Sequence, residues 1–282
     1  MTMNIGMKET APQQRMYAPG HSEDELDRLS HQAEAFEPFT RQLFQQAGIT
    51  TGMRILDVGC GSGDVAFLAA ELVGPSGEVI GADLAAAAVN RATARAQARG
   101  IRNVKFLEGD PAELRFDQPF DAVVGRLVLM FYPDPVNAIR RLALHLRAEG
   151  LIVFQEFDFA TAFSVPPAPT YERNVAWFKQ ALTATGAKIH LGLQLYGVFL
   201  AAGLPAPSMR MDALVGGGRD YVVYEIVAEV AKSLLPVMEK LKITTAMEVD
   251  LSSLAQRMGD EVVASNGVVL SPGLIGAWSS KS

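Results

Sequence analysis

Residues 55–63, Ile-Leu-Asp-Val-Gly-Cys-Gly-Ser-Gly, constrain the fold of this chain more than any other stretch. Met53, Ile55, Leu56 and Val58 form a short apolar run that predicts a buried strand. The run breaks into Gly59, Gly61 and Gly63 at alternate positions. Val65, Phe67, Leu68, Ala69, Leu72 and Val73 then recur as in an amphipathic helix. A strand, a glycine turn and a helix in that order let a backbone approach a nucleotide-like ligand closely. Glycine suits such a turn because a Cβ would strike the ligand or resist a positive φ. The spacing matters too. The dinucleotide fingerprint G-x-G-x-x-G/A asks for a third small residue so that helix and strand pack closely. Counted from Gly59, that position holds Asp64.

The stretch Leu56-Asp57-Val58-Gly59-Cys60-Gly61-Ser62-Gly63 resembles motif I of the class I S-adenosylmethionine (SAM) dependent methyltransferases. The chain beyond it carries the resemblance further. Val79-Ile80-Gly81-Ala82 reads as a second strand ending in Asp83. A carboxylate there sits beside the ligand crevice of a doubly wound sheet and can accept from both hydroxyls of a ribose. NAD and SAM both carry that diol, so Asp83 does not choose between them. Asp83 also fits the N-cap of the helix beginning Leu84-Ala85-Ala86. Val104, Phe106 and Leu107 precede Glu108-Gly109-Asp110-Pro111-Ala112-Glu113, whose composition predicts a turn. The resemblance implies that Asp110 meets the adenine amino group, with Pro111 and Ala112 lining the ring. Phe120-Asp121-Ala122-Val123-Val124 resembles the family's fourth strand. It leads into Gly125-Arg126-Leu127, whose tip would face the methyl donor. Leu146 to Phe154 matches the helix, turn and fifth strand, with Arg-Ala-Glu-Gly in the turn.

These elements span residues 53–157. They imply an α/β fold, a Rossmann-like, seven-stranded doubly wound sheet with its last strand antiparallel, carrying lead helices and a helical cap. They also imply SAM as cofactor and S-adenosylhomocysteine (SAH) as product. The residues so implicated are Tyr17, Asp57, Gly59, Cys60, Gly61, Gly63, Asp83, Leu84, Asp110, Pro111, Ala112, Arg126 and Leu127. The wider match is similar to the ubiquinone/menaquinone-type group of small-molecule methyltransferases. It extends to the lead segment Tyr17 to Thr40 and to the closing Ile275-Gly276-Ala277-Trp278.

Composition narrows the partners. The chain has 282 residues, 49% hydrophobic and 20% charged, enough for a large core. A net charge of −6 argues against a nucleic-acid surface, which needs clustered Lys and Arg. Arg91, Arg95, Arg99 and Arg102 recur at helical spacing and read as a solvated helix face. The single cysteine, Cys60, excludes an internal disulfide and a cysteine-based zinc cluster. No His, Asp and Glu spacing matches a metal-binding motif, and no apolar run is long enough to span a bilayer. The N-terminus lacks the pattern of a signal peptide. The expectation is a cytoplasmic enzyme, monomeric or homodimeric, acting on a small molecule without metal, nucleic acid or membrane insertion.

Along the chain, residues 1–50 read as a tail and two lead helices. Ser22-Glu23-Asp24-Glu25 supplies a capping box and Pro38 divides the helices. Residues 51–158 read as the core, 159–215 as an insertion with the remaining core helix and strand, 216–262 as a helical cap, and 263–282 as the final strand or strands of the core. Pro166, Pro167 and Pro169 predict a stiff crossing, Gly216-Gly217-Gly218 a flexible joint, and Val223 to Leu235 a strongly apolar helix.

Methyl transfer from a sulfonium needs orientation and exclusion of water before it needs a base. The candidate bases are Glu156 and Asp158, on one face of the fifth strand by its period of two, and His190. His21 and Tyr17 fall in the lead segment. His145 reads as exposed and uninvolved. Met130, Phe131, Tyr132, Phe159, Phe163, Trp177 and Phe178 predict an aromatic, methionine-rich wall for an apolar acceptor at O, N or C. Two other function classes fit the glycine turn. One is a member of the fold that binds SAM or SAH without methylating. The other is a dinucleotide oxidoreductase, which Asp64 disfavours.

Overall fold

The computed structural model describes residues 23–281. Ten strands form two sheets: β1 (Arg54–Val58), β2 (Glu78–Asp83), β3 (Val104–Glu108), β4 (Phe120–Arg126), β5 (Leu146–Asp158), β6 (Phe163–Val165), β7 (Ser208–Asp212), β8 (Val215–Gly216), β9 (Val268–Leu270) and β10 (Gly273–Ser280). The main sheet has the order β3-β2-β1-β4-β5-β10-β7. β1 to β5 pair in parallel, and β10 enters antiparallel between β5 and β7. This is the seven-stranded doubly wound sheet expected from the sequence. Strand order reverses at β1 and β4, which opens a crevice beyond their carboxyl ends where such sheets take ligands. A small sheet, β6-β9-β8, stands beside it.

Nine helices are described: α1 (Glu23–Ala47), α2 (Asp64–Val73), α3 (Ala86–Ala98), α4 (Pro135–Leu142), α5 (Pro169–Ala184), α6 (Leu191–Ala202), α7 (Val222–Lys240), α8 (Ala246–Val249) and α9 (Leu254–Ala264). The two faces of the sheet carry separate cores. On one, Leu43 and Phe44 of α1 and Val65, Leu68 and Ala69 of α2 pack on Ile55, Val79, Val124 and Val153. On the other, residues of α4 to α7 and α9 join Leu56, Val123, Ile152 and Phe154 in one continuous cluster.

The two lead helices expected from the sequence are one helix. Pro38 lies inside α1, which runs unbroken from Glu23 to Ala47. A proline inside a helix costs about 3 kcal/mol or more by removing a donor and crowding the preceding turn. Burial on both sides offsets that cost. Ala33, Phe36, Thr40, Leu43, Phe44 and Ala47 are all buried along one stripe. The Phe36 ring meets Phe157 edge-on at 5.3 Å. Ser22 of the expected capping box lies outside the described residues. The turn expected before the fifth strand is absorbed into β5, with Glu149 at φ 59°. The glycine joint is partly a strand, since Gly216 closes β8 and pairs with Val269.

Candidate functional site

The glycine turn connects β1 to α2, and its three glycines do three different things. All have positive φ: 66° at Gly59, 51° at Gly61 and 91° at Gly63. A Cβ on Gly59 would overlap the side chain of Val128. A Cβ on Gly63, the N-cap of α2, would lie 2.9 Å from the rings of Phe67 and Phe106. Only at Gly61 would a Cβ meet nothing within 4 Å, so that position alone keeps a space open. Of the three reasons for glycine, ligand clearance therefore belongs to Gly61 and close packing to the other two.

Asp83, at the tip of β2, fixes this turn. Its Oδ2 accepts from the Gly61 N–H at 2.9 Å and its Oδ1 from the Ala85 N–H at 2.9 Å. The N-cap position of α3 itself is Ala85, so Asp83 closes the turn ahead of the helix rather than capping it. Each carboxylate oxygen has a second lone pair, which leaves acceptor capacity for a diol. Arg95 of α3 braces the turn from outside. Its guanidinium donates to the Ser62 carbonyl at 2.6 Å and to Asp64 Oδ1 at 2.7 Å. The sequence reading placed Arg95 on a solvated face. Its side chain is instead largely covered, because α3 packs close enough to reach the loop.

Beneath the turn, Asp57 is buried, and among the described residues neither carboxylate oxygen has a hydrogen-bond partner of ordinary geometry, the Ala66 N–H being the backbone donor that acts on it. Burial pushes its carboxyl well above the usual range, Arg126 pulls it down, and Asp83 and Asp64 push it up again. Cys60 is buried in the same loop, and its thiol is pushed up by burial and then by Asp57 and Asp83. Arg126, at the end of β4, donates to Thr40 Oγ1 at 3.0 Å. Burial lowers its pKa, and Asp64, Asp57 and Glu37 favour its charge.

Cys60 and Arg126 border a cavity of about 290 Å³, whereas the expected Asp57, Gly63 and Ala112 do not line it. Gly59 to Ser62, Asp83, Leu84 and Pro111 line one half, and Arg126, Leu127 and Val128 the middle. Met130, Phe131, Tyr132, Phe157, Phe159 and Leu182 form the far wall. Arg28, Leu29, Gln32 and Ala33 of α1 and Val230, Ser233 and Leu234 of α7 roof it. Of the expected acceptor wall, Met130, Phe131, Tyr132 and Phe159 are present. Trp177 and Phe178 pack into the core instead, and Phe163 is exposed on β6. The roof residues of α7 come from the apolar helix read as a cap, with Val230 and Leu234 on its stripe, but Ser233 and the α1 residues Arg28, Leu29, Gln32 and Ala33 were missed.

Asp110 does not line the cavity; Pro111 beside it does. Asp110 Oδ1 accepts from the Ala112 N–H at 3.0 Å and from the Tyr132 hydroxyl at 3.3 Å, and Ala112 is buried in the core. His145, expected to be uninvolved, holds that turn through Nε2 and the Pro111 carbonyl at 2.9 Å. Tyr17 and His21 lie outside the described residues.

None of the three candidate bases lines the cavity. The strand period does put Glu156 and Asp158 on one face, but it is the face toward α6. The Glu156 carboxylate accepts from the backbone N–H groups of Val128 at 3.0 Å, Leu129 at 2.7 Å and Met130 at 3.4 Å. Burial raises its carboxyl to about 7 against those hydrogen bonds. Asp158 is fully buried and accepts from the Ala160 N–H at 2.9 Å and the Leu193 N–H at 3.3 Å. His190, nearly half exposed, meets Asp158 Oδ1 through Nδ1 at 3.1 Å. Both carboxylates thus anchor backbone: Glu156 the loop after β4, Asp158 the start of α6.

A glycine turn with one open position, an acidic residue holding it from the next strand, and a half-enclosed, mostly apolar chamber at the switch point define a nucleoside-cofactor enzyme of the Rossmann-like kind. Comparison with known proteins gives the family. Residues 49–202, more than half the chain, match the model described as "Methyltransferase domain", and the chain belongs to that family. The chain is 39% identical over 149 residues to aklanonic acid methyltransferase DauC of Streptomyces sp. (strain C5), a match covering 52% of this chain and 67% of that one. It is 31% identical to demethylmenaquinone methyltransferase of Lactococcus lactis subsp. lactis (strain IL1403), covering 54% of this chain and 59% of the relative. The fold is also that of phosphoethanolamine N-methyltransferase 2 of Haemonchus contortus, solved with phosphomonomethylethanolamine and SAH. The TM-score is 0.54 at 15% identity, covering 86% of this chain and 52% of that one.

The cofactor of this family is SAM, and the residues here fit it. Gly61 leaves the clearance that a nucleoside needs, and Asp83 keeps spare acceptors for a ribose diol. Arg126 brings a guanidinium to the same cavity, and the buried Asp57 carboxylate lies behind the turn.

Proposed function

We propose that this chain transfers the methyl group of SAM to an oxygen, nitrogen or carbon of a small, mostly apolar metabolite. The observation that carries this reading is the continuity of one cavity from the Gly61–Asp83 turn to a wall of Met130, Phe131, Phe157 and Phe159 under a two-helix roof. SAM supplies an electrophilic methyl for in-line displacement. The chain supplies orientation and a chamber with water displaced, which together account for a large part of such an acceleration. Among the described residues, the acceptor half is lined by no carboxylate or imidazole, so the acceptor is one that needs little help in losing a proton. The relatives support a small-molecule acceptor, since aklanonic acid and demethylmenaquinone are the substrates in their names. The site specialises accordingly. Gly59 to Gly63 and Asp83 hold the nucleoside, Arg126 the amino-acid end with Asp57 buried behind the turn, and Glu156 and Asp158 act on the chamber through the backbone they anchor.

We place the enzyme in a bacterial cytoplasm, as monomer or homodimer. The bacterial sources of the two relatives support the first point, and a single unpaired cysteine fits a reducing compartment. No described helix is long and apolar enough to cross a membrane.

Calorimetric titration with SAM, SAH and NADH tests the cofactor, and a screen with SAM labelled in its methyl group tests transfer. Micromolar binding of the two sulfur nucleosides, with label moving to an aromatic acid, phenol or quinol, is the expected result. Binding of NADH alone overturns the proposal. Binding of SAM with no transfer to any acceptor assigns the chain to the non-methylating members of the fold.

A further inference from the structure

In the roof of the cavity, α1 carries three buried polar side chains in successive turns: Glu25, Arg28 and Gln32. Arg28 donates through Nε to Glu25 Oε2 at 2.8 Å and through NH2 to Glu25 Oε1 at 2.5 Å, a two-pronged ion pair. The Ser233 hydroxyl of α7 donates to the same carboxylate. Arg28 then donates through NH1 to Gln32 Oε1 at 2.7 Å. That last bond settles the orientation of the Gln32 amide. A guanidinium can only donate, so the oxygen must face Arg28 and the NH2 group must face away. Gln32 is 9% exposed and lines the cavity. Among the described residues its Nε2 has no protein partner.

The chain Glu25–Arg28–Gln32 is directional. The carboxylate fixes the guanidinium, the guanidinium fixes the amide oxygen, and the amide is left presenting two N–H donors to a mostly apolar chamber. Those donors are open to the cavity, where an acceptor oxygen of a ligand would pair with them. Position along α1 separates this feature from the cofactor end. Arg126 is held at Thr40. Gln32 lies eight residues nearer the N-terminus, about 12 Å further along the helix at 1.5 Å per residue. Between them, Phe36 packs on Phe157 of the far wall. Gln32 thus lies on the far side of Phe36 from Arg126, in the cavity that Phe157 and Phe159 also line.

Building on the methyltransferase reading, we propose that Gln32 is a specificity-determining residue that donates to a carbonyl-type oxygen of the methyl acceptor, with Arg28 and Glu25 as its positioning residues. The acceptor class is then an apolar, ring-bearing ketone, quinone or carboxylate rather than a plain hydrocarbon-like alcohol or amine. The apolar walls take the ring system, and the roof reads one oxygen on it. A site built to hydrogen-bond one oxygen rejects analogues lacking it far more sharply than an apolar wall rejects a change of size.

The test uses the full chain loaded with SAH and three probes of similar shape: 2-acetylnaphthalene, 1-naphthoate and 2-ethylnaphthalene. Dissociation constants are measured by calorimetry for the wild type, Gln32→Leu and Gln32→Glu. The last variant keeps an oxygen for Arg28 and replaces the donor by an acceptor. SAH affinity and the melting shift on adding SAH report folding and the cofactor end. The wild type is expected to prefer an oxygen-bearing probe over 2-ethylnaphthalene by about tenfold or more, the range of one hydrogen bond. Both variants should lose that preference while binding SAH within twofold of the wild type. A preference for the ketone but not 1-naphthoate, or the reverse, identifies which oxygen is read. The inference falls if the wild type shows no preference or if either variant keeps it. It also falls if SAH affinity drops with Gln32, which would move this residue to the cofactor. Failure of the wild type to bind SAH at all would instead overturn the methyltransferase reading itself.

Discussion

Gly59, Gly61 and Gly63 look alike in the sequence, and the structure separates them by what a methyl group would meet. Gly61→Ala is the informative substitution. Its Cβ enters the open space beside Asp83. A left-handed φ costs a non-glycine residue roughly 1–2 kcal/mol, so the fold should survive. SAH affinity is expected to fall at least tenfold by calorimetry, with only a modest drop in melting temperature. Gly59→Ala should reverse the pattern, because its Cβ overlaps Val128 and disturbs the wall before any ligand arrives. Asp83→Ala removes the carboxylate that orients the Gly61 N–H. It is expected to weaken SAM and SAH binding by about 1–3 kcal/mol, and unchanged affinity would remove Asp83 from the cofactor site. At this scale the sequence was legible wherever a residue type answers a backbone need. It was not legible for Arg95 or His145, whose partners, the Ser62 and Pro111 carbonyls, come from distant turns. Spacing along a helix cannot tell an arginine facing water from one facing a loop of another element.

The strand β5 and helix α1 show how far element-level patterns reach. The period of two placed Glu156 and Asp158 together, correctly, but parity does not say which face looks into a cavity. The answer depends on the loop after β4, where Leu127 takes φ 55° and turns the next three N–H groups back onto Glu156. That carboxyl is fully buried and raised from its usual value to about 7. The folded protein therefore holds a proton that the unfolded chain releases between about pH 4.5 and 7. Its contribution to stability is full below the lower value and is lost as pH rises through the upper one. The shift corresponds to about 3 kcal/mol at 1.36 kcal/mol per unit. Glu156→Gln abolishes this titration. The stability of the wild type relative to the variant, from urea melts, should thus fall across that window and flatten above pH 7. A constant difference from pH 4.5 to 8 would show that Glu156 ionises normally. In α1 the sequence misled for a different reason. Pro38 is a breaker by local propensity, and only the stripe of buried residues meeting both core and cavity keeps the helix whole.

At the scale of the molecule, the question is whether the roof is a separate part. The sequence reading treated residues 216–262 as a cap laid over a finished core. In the structure, Val223, Tyr224, Val227, Leu234 and Met258 belong to the same buried cluster as Leu56, Val123 and Phe154 of the central sheet. The small sheet joins in through Val269, and the Tyr171 hydroxyl of α5 donates to the Leu270 carbonyl. Clusters that share side chains unfold together unless a polar or thin boundary separates them. The only two tryptophans fall on opposite faces of the sheet. Trp177 lies in α5 and packs against the larger cluster, and Trp278 lies in β10 and packs against the smaller one behind the sheet. Trp177→Phe and Trp278→Phe leave one reporter each. Fluorescence melts of the two variants in urea, corrected for each variant's stability by far-UV circular dichroism, are expected to coincide at a single midpoint. An earlier midpoint at Trp177 would mean that α5, and with it the α7 roof packed on it, opens on its own. Acceptor entry would then be a local unfolding event and not a motion of the N-terminal half of α1 and of α7 within one cooperative body.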